Sequence, residues 1–513
     1  MRRVSIASSS QLAADAGALA ADAGGNAVDA GVAAALVSMC TEPGIIAPGS
    51  GGFLTIWGPD ADPVVIDCYA EMPGRGLDPP PPEGSGGMRI WLEYGGGVET
   101  VVGPGSVATP GALAGFGLAI ERFGNLPWSE VLAPTIDAVE RGFAMSSAAA
   151  QYLAYSHENI FGWDPESYAV VHDEAGQRRH AGDVVRLPAL AATFRALAEE
   201  GPDLLYQGEL GKRMAEAFQA GGGLLPRQDL AEYTPIVRAP ILVDVDEWTV
   251  AVNPPPAVGG ACLAAMLILL DDHPFEQWTA REVDHLARVQ RAVLRFRNRR
   301  LDPADSDRAA EAVTLLEHAR MGDLGGLMSS PSTVHTSAVD TDGRGCSITV
   351  SAGYGSGMMV PGTGMWLNNS LGELELHPEG FQHAAPGTRL VSNMAPTVAR
   401  SNEGSVFSIG SPGADRITTA ISSVLLNYIH LGMSLRDAVS HPRIHTEMFD
   451  GEPRIAHEPG LPVRPVDDMT PRRFPDISMY FGGVQASLWD PLAGLFEVAD
   501  PRRTGGIARG GAA

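Results

Sequence analysis

The sequence predicts an α+β protein, with helices gathered in the first two-thirds of its 513 residues and the clearest β-hairpins after Ser332. Three observations carry that expectation. Ala-rich and amphipathic stretches with helical spacing recur as far as residue 300. Two pairs of alternating segments after residue 332 each surround a turn-forming cluster. The most apolar stretches are short or broken by Gly, so none has the length of a membrane span.

Taken in order, residues 10–40 read as two Ala-rich helices joined at a corner made by Gly24-Gly25. The Gly-rich turn at 48–52 leads into a strand at 53–57 and another at 64–67. Residues 76–105, rich in Pro and Gly, read as a long surface excursion. Amphipathic helices are expected at 129–141, 188–200, 208–220 and 281–300. Segments 334–339 and 346–351 form one hairpin, and 396–399 and 406–409 another. A sharp turn, Gly410-Ser-Pro-Gly413, precedes a helix at 415–430. A chain of this length holds two or three ordinary domains or one large multilayer domain, and length alone does not choose between them.

Charge narrows the function. With 36 basic and 61 acidic side chains the net charge is −25, which argues against nucleic acid or anionic lipid as the main partner. The local exception, Arg295-Phe-Arg-Asn-Arg-Arg300, reads as the solvated end of a helix. Cys40, Cys68, Cys262 and Cys346 form no CxxC pair and are expected to be buried free thiols. The first 17 residues lack the apolar core of a signal peptide, so a cytoplasmic location is expected. Asp340-x-Asp-x-Arg-Gly345 has the opening spacing of a calcium loop, but the twelfth position is Ser351 rather than Glu, and a hairpin turn explains it better. Neither a metal nor an organic cofactor is expected.

Thr333 stands where the stretch 328–332 meets the first strand of a hairpin, and by itself it reads as an ordinary β-branched strand residue. Its setting says more. The run Thr333-Val-His-Thr-Ser-Ala-Val-Asp-Thr-Asp-Gly343 resembles the opening of the small subunit of γ-glutamyltranspeptidases. Three further segments match that family in the same order: Gly24-Gly-Asn-Ala-Val-Asp-Ala30, Val360-Pro-Gly-Thr-Gly-Met-Trp-Leu-Asn-Asn369 and Gly410-Ser-Pro-Gly413. Weaker echoes lie at 110–116, 254–260 and 500–502.

The resemblance implies a four-layer αββα sandwich of the N-terminal-nucleophile type. It implies that the chain cuts itself between Ser332 and Thr333, leaving a large region, 1–332, and a small region, 333–513, that stay together as one αββα domain. The freed α-amine of Thr333, with a pKa near ~7.7, would then take the proton of its own hydroxyl. Backbone N–H groups of Gly413 and Ala414 would receive the oxyanion. Ser351 falls where the family has a second Thr beside the nucleophile, and His335 is expected to be a structural hydrogen-bonding residue.

The substrate side departs from the family. Tyr69 stands where the family's carboxylate-binding Arg is found, Gly353 at its Asn, Glu373 at its Asp, and Ser392-Asn393 at its Ser-Ser pair. A bidentate clamp is therefore missing. The expected partner is a small-molecule amide, with γ-glutamyl groups such as that of glutathione and glutaryl-like acyl groups both open. Water or an amine could accept the acyl group, and the processed heterodimer could form a homo-oligomer. The contrasting reading is a non-catalytic relative that binds without turnover.

Overall fold

The computed structural model describes residues 2–511 except 83, 94–96, 274, 304–305, 322–332, 375, 377–383 and 450. Two antiparallel sheets lie face to face. The seven strands of the first run in the order Gly506–Gly510, Val4–Ser8, Val334–Asp340, Gly345–Ser351, Gly51–Trp57, Val64–Cys68 and Ile236–Arg238. The six of the second run Gly494–Ala499, Gln485–Asp490, Val406–Gly410, Thr397–Ser401, Trp248–Val252 and Ile241–Val245. Helices Gln11–Asp22 and Ala27–Thr41 cover the outer face of the first sheet, and Val258–Asp271 and Arg416–Leu425 that of the second. The result is the αββα sandwich. Each sheet combines strands from before and after residue 333, so neither part of the chain completes a sheet alone.

The interface between the sheets is made largely by small hydroxyl side chains. Ser337 Oγ donates to the carbonyl of Gln485 at 3.1 Å, and Ser487 Oγ to that of Ser337 at 3.1 Å. Ser347 Oγ donates to Ile409 O at 3.0 Å, and Ser408 Oγ to Cys346 O at 2.8 Å. Small residues let the sheets approach, and these hydroxyls satisfy their own polarity on the opposite backbone.

The Gly24-Gly25 corner joins two helices as expected. Asn26 and Asp29 form a reciprocal capping box, and every residue of Ala27–Thr41 is buried. That helix is apolar all round because other elements enclose it. Asp29 also receives N–H groups from Asn125 and Leu126, while Ala27 N–H donates to Asp340 Oδ2 at 3.1 Å. Asp340 Oδ1 accepts the N–H groups of Asp342 and Arg344. The segment with calcium-loop spacing is thus a hairpin turn whose first carboxylate is occupied by backbone donors. All four cysteines are buried free thiols.

Several expectations need correction. The stretch 76–105 is not simply a surface excursion: Met88–Leu92 and Val98–Val102 pair as a hairpin whose Leu92, Val101 and Val102 are buried. Asn369 Nδ2 donates to Val101 O at 3.0 Å and Thr100 Oγ1 to Gly372 O at 2.8 Å, anchoring it to the segment after the VPGTG turn. The helix expected at 281–300 is Ala280–Phe296 followed by a π turn, Arg297–Leu301. That turn brings Arg297 inward to Asp302, so the arginine run is only partly solvated. The helix expected at 415–430 is Arg416–Leu425 continued by a π turn, Leu426–His430. Helix Ala112–Phe123 also went unread, and so did Val258–Asp271, where burial on several sides erases amphipathic periodicity. Among the described residues no helix is long and apolar enough to cross a membrane.

Candidate active site

Thr333 immediately precedes its strand, and the register there is set by Val334 opposite Val350. One step back along that antiparallel ladder, Thr333 faces Ser351, whose other neighbour is Gly51. Both hydroxyl residues are buried, and Ser351 Oγ accepts the N–H of Gly353 at 3.1 Å. Ser332, the other side of the expected cleavage point, lies outside the described residues.

His335 faces the space between the sheets. One ring nitrogen, Nδ1, lies 2.8 Å from Thr349 Oγ1, and Nε2 lies 2.8 Å from Ser337 Oγ. Burial lowers its pKa to about 3, so the imidazole is neutral. With both nitrogens engaged by hydroxyls, it ties the strands Val334–Asp340 and Gly345–Ser351 of the first sheet. The structural role expected for His335 agrees with this geometry.

The strand Val406–Gly410 ends against the His335 ring and opens into the turn Ser411-Pro-Gly-Ala414. A cavity is lined by both Thr333 and Pro412, so the turn and the hydroxyl residue meet. Ser411 Oγ pins the turn by accepting the N–H of Gly483 at 3.0 Å. Gly413 and Ala414 have φ of 125° and 59°, both left-handed. Among the described residues neither N–H donates to an acceptor, an arrangement suited to receiving an anion.

Asp415, at the helix start, is a residue the sequence reading did not single out. It is buried with Arg416 Nη1 at 2.9 Å and His445 Nε2 at 3.2 Å. Burial alone would raise its pKa, but Arg416, His445 and Arg297 outweigh that and lower it to about 2. This ion cluster holds the base of the turn. An Asp next to an Arg after a Gly-Ala turn is too common a pattern to have revealed it.

The candidate substrate residues gather on the other side of Ser351. A Cβ on Gly353, whose φ is 59°, would fall 2.3 Å from Asn369 Oδ1 and 3.0 Å from Glu373 Oε1. There is no room for a side chain at that position. The Tyr69 phenol is buried beside Glu373, its ring is stacked on Phe53 at 5.8 Å, and burial and the Glu373 charge push its pKa up. Tyr69 and the Leu390–Met394 stretch share one apolar cluster. Ser392 Oγ accepts the N–H of Met394 at 3.2 Å. Asn393 Oδ1 is buried with no partner among the described residues.

Among the described residues the two arginines near Tyr69 are already paired. Arg389 bonds Glu71 at 2.5 Å, lies 3.3 Å from Asp67 and covers the Tyr233 ring at 4.4 Å. Arg75 bonds Glu71 at 2.9 Å and Asp229 at 3.2 Å. Their charge is spent on protein carboxylates. This network was not anticipated, because its members come from three segments, 67–75, 229–233 and 389, more than 150 positions apart, and only folding brings them together.

The chain is similar to known proteins over nearly its whole length. The Gamma-glutamyltranspeptidase family profile matches residues 13–510. The Acylase ACY 1 proenzyme of Pseudomonas sp. (strain V22) is 30% identical over 469 residues, covering 87% of this chain and 83% of that protein. The Glutathione hydrolase proenzyme of Bacillus subtilis (strain 168) is 27% identical over 541 residues, covering 98% and 90%. Among solved structures, the cephalosporin acylase from Bacillus halodurans superimposes with a TM-score of 0.79 at 24% identity, covering 99% and 96%, which supports the fold. The facing pair Thr333 and Ser351, the left-handed Gly413-Ala414 turn and this full-length match agree: the chain belongs to the γ-glutamyltranspeptidase family of N-terminal-nucleophile hydrolases.

Proposed function

We propose that the protein is a self-processing amide hydrolase or acyltransferase in which Thr333 becomes a chain terminus and then the nucleophile. What supports this is a strand register that, continued by one residue, brings Thr333 to Ser351, together with a cavity lined by Thr333 and by Pro412, which precedes Gly413 and Ala414 in the turn. Cleavage after Ser332 would divide the chain into 1–332 and 333–513, and the strands that both parts contribute to each sheet would keep them together.

In the reaction, the freed amine of Thr333 takes the proton of its own hydroxyl as the oxygen attacks the substrate's amide carbon. The negative charge passes to the carbonyl oxygen, where the N–H groups of Gly413 and Ala414 receive it. The amine returns its proton to the leaving nitrogen as the C–N bond breaks, leaving an acyl ester on Thr333. Water or an amine resolves that ester, with the Thr333 amine again taking the incoming proton.

For the acyl group, γ-glutamyl and glutaryl-like chains are the two candidates, and neither would find an arginine to hold its terminal carboxylate. A buried Tyr69 stands at the clamp position, and the nearby Arg75 and Arg389 are bound to carboxylates. The relatives whose names read acylase and glutathione hydrolase bracket these two choices. Purified protein run on a denaturing gel, with the N-terminus of the smaller band determined, tests the processing. A terminal Thr333 supports the reading, and a persistent single chain inactive on an acyl-amide panel favours the non-catalytic one.

A further inference from the structure

Besides Thr333 and Pro412, the same cavity is lined by His335, Glu42 and Arg503, and its volume of about 30 Å³ holds one or two waters. Glu42 enters it at the end of helix Ala27–Thr41 and is only 3% exposed. The hydroxyls of Ser146 and Ser10 donate to its carboxylate, and it makes no ion pair among the described residues. A buried carboxyl that makes no ion pair is costly.

Cleavage before Thr333 would create a cation in this cavity, namely the α-ammonium group. We propose that Glu42 is a positioning residue for that group: its carboxylate accepts a hydrogen bond from the Thr333 ammonium, directly or through one water, and so sets the amine's orientation and its affinity for a proton. The inference rests on the proposed self-processing, since without it Thr333 has no α-amine.

The other charged or titratable side chains facing the cavity are His335, which is neutral, and Arg503. Desolvation pushes the Glu42 pKa up to about 7, against the opposing effect of the Ser146 and Ser10 hydroxyls. Before cleavage the group is thus near half-protonation at neutral pH. A new cation favours its charged form, and the carboxylate in return raises the amine's pKa.

The acid limb of a kcat/KM profile reads that amine, because only its neutral form can accept the hydroxyl proton. Glu42→Gln keeps the shape and an acceptor for the serine hydroxyls but removes the charge. The expected result is an acid limb displaced to lower pH by about one unit. The measurement compares processed wild type and variant between pH 5 and 9 on an acyl-p-nitroanilide, with the N-terminus of the small chain verified. An unmoved or upward-moved limb overturns the assignment. If Glu42→Gln does not mature, Glu42→Asp is measured instead: withdrawing the charge by one methylene must move the limb downward by a smaller step, and an unmoved limb is again fatal. A wild-type chain lacking an N-terminal Thr333 defeats the underlying function, whereas a normal terminus with an unmoved limb defeats only the role of Glu42.

Discussion

A Cβ on Gly410 would fall 2.2 Å from Cε1 of His335, so the end of one sheet is shaped around an imidazole carried by the other. Gly410→Ala therefore has to displace a ring held by Thr349 and Ser337. The expected cost is about 1–3 kcal/mol, the usual penalty for forcing volume into a packed interior. A urea titration followed by tryptophan fluorescence measures it, and a midpoint equal to wild type would contradict the tight fit.

Thr333→Ala removes the hydroxyl on which both the processing and the turnover depend. The expected variant is a single full-length chain with no activity on any acyl amide. Cleavage at the normal position in that variant would exclude Thr333 as the self-cleaving group. Mass spectrometry of the intact protein decides.

Ala414 carries a side chain in a left-handed conformation, φ 59°, that glycine adopts without strain. Ala414→Gly is expected to stabilise the folded protein by up to about 1 kcal/mol. It should retain activity, because the N–H remains. Gly413→Ala runs the other way: φ is 125° and its Cβ would lie 3.0 Å from Gly482 Cα. The thermal unfolding midpoints of the two variants should move in opposite directions, and the initial rate should fall only in Gly413→Ala.

The Asp415 carboxylate is held at a pKa of about 2, below its unfolded value, chiefly by Arg416 and His445 against the opposing effect of burial. A depressed carboxylate contributes stability that is complete above the unfolded pKa and disappears as pH falls through the folded one. The contribution is about 2 kcal/mol at neutral pH, and it is lost between about pH 4 and 2. Asp415→Asn should be less stable at pH 7 and show a shallower loss of stability over that acid range. Parallel pH-stability curves for wild type and variant would refute this.

γ-Glutamyl-p-nitroanilide should be a poor substrate, with a kcat/KM below that of a simple acyl-p-nitroanilide that carries no carboxylate. Tyr69 offers no cation to hold the α-carboxylate of the γ-glutamyl group. Efficient turnover of the γ-glutamyl compound would refute this.

Local pattern made much of the fold legible. The Gly24-Gly25 corner, the helix at 188–200 and both late hairpins appear close to where spacing and turn chemistry put them, because each is decided within a few residues. Ordered motifs were legible too. Gly24–Ala30 and Asp340 proved to be two halves of one joint, with Ala27 at the start of the outer helix donating to Asp340 in the sheet it covers.

The sequence by itself determined the type of chemistry: a Thr at the mouth of a strand, a Ser one hairpin away, and a Gly-Ala turn before a helix. It also determined that the usual carboxylate clamp is absent at Tyr69. Only the tertiary structure decided which groups face one another. The sandwich brings His335 to Gly410, Glu42 to the cavity of Thr333, and Arg389 to Asp67 and Glu71. Burial then sets the charge each of these groups carries, and burial depends on the packing of segments hundreds of residues apart.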